Sequence, residues 1–175
     1  MLKVLILHGW QGSELPHWQG WLAQELVLEN CIVAFPQLSD NHAPQKEVWV
    51  EEALNVIESL RPDVVVCHSL GNILWYHLCK RLSMNVQKLL LCAPPRDLSE
   101  YDEVASFFPV DLPSDLHAEQ ILMVASDNDP YMSMDQSIMS AMRMQIDLKV
   151  VKEGGHLNAD SGYGPWPWVK EWVLS

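Results

Sequence analysis

No run of eighteen or more apolar residues occurs in this 175-residue chain, so no segment reads as a transmembrane helix. The apolar stretch at the start, Leu2 to Leu7, contains Lys3 and ends at His8-Gly9, too short and wrongly flanked for a signal peptide. Positive charge is also scarce. Eleven Lys and Arg stand against 23 Asp and Glu, a net charge of −12 that repels phosphate backbones and anionic membranes. Neither nucleic acid nor a membrane is an expected partner. Gly/Ser linkers, charge blocks, internal repeats and low-complexity tracts are missing, so residues 1–175 read as one domain with a real core. The four cysteines, Cys31, Cys67, Cys79 and Cys92, show neither CxxC nor zinc-type spacing. Reduced thiols and a cytoplasmic location are the expectation. The histidines form no H-E-x-x-H pattern and no cluster with carboxylates, so no metal or other cofactor is expected.

What is present is an alternation. Strand-like runs rich in Val, Leu and Ile fall at Leu2–Leu7, Cys31–Phe35, Asp63–Cys67, Lys88–Cys92, Gln120–Ala125 and Asp147–Val151. Continuous apolarity of this kind marks strands buried on both faces. Helix-period segments lie between them at Trp18–Leu28, Glu47–Leu60, Asn72–Leu82, Asp135–Met144 and Trp168–Val173. The pattern predicts an α/β fold: a doubly wound, mostly parallel six-stranded sheet flanked by helices, with the site in loops at the carboxyl ends of strands.

The most telling segment is "DVVVCHSLGNILWYHL", where the run Val64–Val66 stops at Cys67-His68-Ser69-Leu70-Gly71 and helical spacing follows. A strand, sharp turn and helix of this kind lift a serine hydroxyl above the sheet edge and aim the first free N–H groups of the helix beside it. Asp127 and Asp129 follow the fifth apolar run, His156 follows the sixth, and His8 and Trp10 follow the first. The chain order Ser, Asp, His is the one associated with α/β-hydrolases.

A neutral serine hydroxyl needs a base within reach, a group that holds the base's tautomer, and donors for the oxyanion. Ser69 is the candidate nucleophile and His156 the base. Either Asp127 or Asp129 can orient the histidine, and the backbone N–H groups of Trp10 and Leu70 are candidates for the oxyanion hole. Gly9 and Gly71 let those backbones approach. The usual G-x-S-x-G has Cys67 in its first position, a side chain small enough for a tight turn. The alternative for Ser69 is a plain helix N-cap. His68 is expected in the packing beneath the turn and His8 as a brace of the oxyanion loop. Trp10, Trp166 and Trp18 are candidates for an aromatic pocket wall, with core packing as the simpler use. The methionines from Met132 to Met144 read as pliable core packing.

The chain resembles the compact serine hydrolases of the retinoblastoma-binding-protein-nine type, within the α/β-hydrolase superfamily. Besides "HSLG" around Ser69, the resemblance rests on "LHGWQGSELPHWQGWL", "ASDNDPY" and "GGHLNADSGYGPWP", and it covers nearly the whole length. It implies Ser69 as nucleophile, Asp129, directly before Pro130, as acid, and His156 as base. It also implies a small enzyme without a separate cap domain that cleaves small carboxylic esters. The competing reading is a protein-binding scaffold on a hydrolase fold with a vestigial triad, since fold alone does not choose between them.

Overall fold

The computed structural model describes residues 1–175. Six strands, β1 (Lys3–Leu7), β2 (Ile32–Ala34), β3 (Val64–His68), β4 (Val86–Cys92), β5 (Ala118–Ser126) and β6 (Asp147–Val151), form one sheet in the order β2-β1-β3-β4-β5-β6. Every pairing is parallel, with Leu7 opposite Cys67 and His68 opposite Cys92 at the carboxyl edge. The expected doubly wound sheet is therefore present.

Two apolar layers cover it. Odd-numbered β3 residues Val65 and Cys67 face a core built with α2 (Lys46–Leu60), α3 (Leu70–Leu78) and Ala141 of α4 (Met134–Met144). Val64 and Val66 face the other way, onto Trp18, Leu22 and Leu26 of α1 (Trp18–Leu28) and Val169 and Val173 of α5 (Pro167–Leu174). The period of two in a strand thus splits one apolar run between two cores. Helix ends follow ordinary chemistry: Ser133 and Gln136 make a capping box at α4, and Pro167 occupies the first turn of α5.

Two sequence expectations shift. The outer strands are not buried on both faces: β6 exposes Asp147, Lys149 and Val150, and β2 is only three residues long. Both are sheet edges, where one neighbour is missing and short or polar strands discourage pairing with another chain. The third helix begins at Leu70 and stops at Leu78, where the Arg81 and Leu82 N–H groups both turn back to the Leu78 carbonyl. Apolar periodicity through Leu82 reflected packing onto the core, not continued helix.

Strand order reverses between β1 and β3. The first crossover runs outward from β1 to β2 and the next returns past β1 to β3, so the loops leaving β1 and β3 diverge and leave a crevice at the carboxyl edge.

Candidate active site

Ser69 sits in that crevice, on the residue joining β3 to α3. Its backbone has φ 52° and ψ −123°, a left-handed conformation that costs a non-glycine residue of order 1–3 kcal/mol. Close packing enforces the turn: a Cβ on Gly71 would lie 2.5 Å from the Leu7 carbonyl oxygen and 2.8 Å from that of His8. Cys67, in the first position of the turn motif, is fully buried in the core, which drives its thiol pKa up and keeps it an uncharged packing group. The Ser69 side chain caps nothing. The plain N-cap role is excluded.

The Ser69 Oγ instead lies 2.8 Å from His156 Nε2. On the other side of the ring, His156 Nδ1 lies 3.0 and 2.9 Å from the two carboxylate oxygens of Asp129. A carboxylate can only accept there, so Nδ1 carries the proton and Nε2 is left to accept from the serine hydroxyl. The Asp129 and His156 side chains are 2% and 9% exposed, so water does not compete for this pair. Tyr131 packs edge-on against the imidazole at 4.7 Å, and its N–H donates to Asp129 Oδ1 at 2.8 Å. Three side chains from the ends of β3, β5 and β6 are thereby brought into one line.

The loop after β6 places the two aspartates differently. Asp127 Oδ1 accepts the Glu153 N–H at 2.7 Å, while Ser126 Oγ and Asn128 Oδ1 accept those of Gly154 and Gly155 at 2.8 and 2.7 Å. Asp127 therefore clasps the histidine loop from outside, and Asp129 alone reaches the ring. Gly155 has φ +57°, and a Cβ there would meet Ser161 Oγ at 2.5 Å. The loop can fold the imidazole back over the sheet only with glycine at that point.

Trp10 and Leu70 line the same pocket as Ser69. As the first residue of α3, Leu70 has no intrahelical acceptor for its N–H, and neither it nor the Trp10 N–H donates to a loop backbone or side-chain acceptor. A Cβ on Gly9 would come within 2.8 Å of Ser69 Cβ and 3.3 Å of Leu70 N, so glycine is what lets the two loops abut. His8 holds this arrangement. Leu38 N–H donates to its Nε2 at 3.0 Å, so its Nδ1–H donates to the Gly9 carbonyl at 2.7 Å.

His68 lies under the turn as expected, buried, with Nε2–H donating to the His156 carbonyl at 3.0 Å. Burial holds its pKa well below the ordinary value, aided by His17 and His156, so it stays neutral. Of the three tryptophans considered for a pocket wall, only Trp10 lines the pocket. Trp18 is fully buried and its indole N–H donates to the Leu157 carbonyl at 2.8 Å, while Trp166 packs edge-on against it. Among the methionines from Met132 to Met144 only Met132 is buried; Met139 and Met142 are 49% and 67% exposed. Tyr131, Ser13 and His17 line the pocket without having been singled out for it. A Tyr two residues after Asp129 was the one available signal among them.

A parallel sheet with this serine turn after a central strand, and an acid and a histidine at later strand ends, is the α/β-hydrolase architecture. Known proteins share that fold. The chain belongs to the serine hydrolase family, whose model matches residues 4–174. It is 22% identical over 180 residues to YdeN of Bacillus subtilis, covering 99% of this chain and 95% of that one. The crystal structure of the ydeN gene product superposes with TM-score 0.88 at 21% identity, covering 99% of this chain and 97% of that one. An α/β-superfamily hydrolase from Xanthomonas campestris superposes with TM-score 0.70 at 17% identity (99% and 96% covered). Est1E from Butyrivibrio proteoclasticus, solved with ferulic acid, superposes at 0.69 and 16% identity (99% and 86% covered).

Proposed function

We propose that the protein is a serine hydrolase of the retinoblastoma-binding-protein-nine type, cleaving small carboxylic esters through an acyl-enzyme on Ser69. The observation that carries this reading is the unbroken hydrogen-bonded line Asp129–His156–Ser69, drawn from three strand ends far apart in the chain. In the first half-reaction Ser69 Oγ attacks the acyl carbon as its proton passes to His156 Nε2, and the oxyanion is met by the Trp10 and Leu70 N–H groups. His156 then gives that proton to the departing alcohol oxygen, leaving the acyl group on Ser69. Water repeats the cycle: His156 takes its proton, the hydroxide adds to the acyl carbon, and Ser69 leaves reprotonated, releasing the acid. Asp129 holds the imidazole's tautomer and stabilises it when charged.

Between β4 and β5 the chain forms only a single 3-10 turn, Ala105–Phe107, which supports one domain over 1–175 without a separate cap. The proposed substrate is a small-molecule ester. No helix is long and apolar enough to cross a membrane, and all four cysteines are free. The free thiols support a cytoplasmic setting.

A fluorophosphonate probe tests the reading directly. It should label wild type at Ser69, and Ser69→Ala should show no labelling and lose about 10³-fold or more of phenyl acetate turnover. A folded wild type that takes no label would instead favour the protein-binding scaffold.

A further inference from the structure

The histidine loop after β6 is anchored toward two members of the hydrogen-bonded line, and the anchors are unequal. Toward the acid, the end of β5 receives three consecutive N–H groups: Glu153 on Asp127 Oδ1, Gly154 on Ser126 Oγ and Gly155 on Asn128 Oδ1. Toward the nucleophile, two hydrogen bonds join the loop to the serine turn. One is the contact between Ser69 Oγ and His156 Nε2 itself. The other runs from His68 Nε2–H to the His156 carbonyl, at 3.0 Å. No backbone N–H donates to that carbonyl.

His68 is well placed for this bond. It is the last residue of β3 and is joined directly to Ser69, so the strand that carries the nucleophile also carries the donor that reaches the base. The residue is 3% exposed, and its ring centroid lies 4.7 Å from that of His17, 5.8 Å from Trp18 and 5.1 Å from His156. A donor already confined by packing loses little freedom on bonding, and a buried carbonyl deprived of it would be left unmatched.

The imidazole of His156 swings about bonds rooted in its own backbone, so whatever holds that backbone holds the reach of Nε2. Resting on the hydrolase reading above, we propose that His68 is a positioning residue for the reaction: its Nε2–H ties the backbone of the base to the serine turn and so sets the distance from His156 Nε2 to Ser69 Oγ. The clasp from β5 sets the base against Asp129; His68 sets it against the nucleophile. Loss of the His68 donor therefore weakens activation of Ser69 while leaving the Asp129–His156 pair in place.

The test compares wild type with His68→Met and His68→Gln, side chains of matched length of which only glutamine carries an N–H, and with His68→Phe, which keeps a flat ring without a donor. On phenyl acetate, kcat should fall about 10- to 100-fold in His68→Met and His68→Phe, the loss expected when a base moves by about an ångström. KM should change by less than about threefold. Fluorophosphonate labelling of Ser69 should slow by a similar factor to kcat, and His68→Gln should recover most of both losses. The proton NMR resonance of the Nδ1–H between His156 and Asp129, moved far downfield by its carboxylate hydrogen bond, should persist in all three variants, which a general loosening of the fold would not allow. Full activity in folded His68→Met and His68→Phe overturns the proposal, as does a loss that His68→Gln shares equally or one accompanied by disappearance of the downfield proton. If neither donorless variant folds, His68 serves the fold rather than the base, and the proposal falls. A wild type that neither takes the label nor cleaves phenyl acetate overturns the hydrolase reading itself, a result distinct from an active enzyme indifferent to residue 68.

Discussion

Two cavities of similar size open on the helix-covered sheet, and they differ in everything except size. One, about 440 Å³, lies between α3, α4 and the segment after β4, lined by Ile73, Tyr76, Phe108, Val110, Met132 and Met139 with Arg96 and Arg143 at hand. The other, about 540 Å³, holds Ser69, His156 and the free N–H groups at the crevice between β1 and β3. No residue lines both. The first is the more apolar, the property that usually marks a ligand site. Yet the hydrogen-bonded line Asp129–His156–Ser69 sits in the second, because strand ends converge there and the sheet order reverses there. In this molecule topology, rather than apolar volume, brings those three side chains together.

The comparison breaks most visibly at the acid. Asp129→Asn should lower kcat by about 10³- to 10⁴-fold, because an amide cannot hold the Nδ1–H tautomer, whereas Asp127→Asn, two residues away, should cost less than about tenfold. Similar losses from both would mean that the clasp on the histidine loop matters as much as the line of hydrogen bonds.

Acid sharpens it next. An unfolded histidine titrates near 6.5, while His17 in the folded chain titrates at about 4. Between those values the unfolded chain binds more protons, so stability rises with pH. The contribution is full above about pH 6.5, is lost as pH falls toward 4, and changes no further below; at about 1.4 kcal/mol per pH unit the total is on the order of 3 kcal/mol. Urea midpoints measured from pH 7.5 to 4 should therefore fall less steeply in His17→Gln than in wild type. His68, shifted the same way, keeps part of the slope in both. Equal slopes would show that His17 is solvated.

The smallest effect is expected from the other cavity. Met139→Trp, filling space beside α4, should change kcat/KM on phenyl acetate by less than about twofold and stability by about 0.5 kcal/mol or less. A tenfold loss would show that the apolar cavity belongs to the substrate's path.

Much of the site was legible because its signals are local. An apolar β-branched run that breaks at His68-Ser69 and resumes at helical spacing can be read without coordinates, and so can a histidine following Gly154-Gly155. Asp127 and Asp129 could not be separated that way. Both leave the same strand two residues apart, and what distinguishes them is which one a loop 27 residues further on packs against. His17 was quieter still. It stands between Pro16 and Trp18 and drew notice only as a histidine outside any metal pattern, whereas in the fold it caps α1 and its ring packs beside His68. Trp18 and Trp166 misled in the opposite direction, being near strand ends in sequence while turned into packing.

The amino-acid sequence alone determined the order of strands and helices, the strained serine turn and the acidic, thiol-bearing character of the chain, since each depends on neighbours within a few residues. Only the tertiary structure decided which aspartate touches the histidine, which nitrogens carry protons, and that the line Asp129–His156–Ser69 sits away from the more apolar cavity. Those outcomes depend on distances between segments dozens of residues apart, and such distances exist only once the two cores have closed on the sheet.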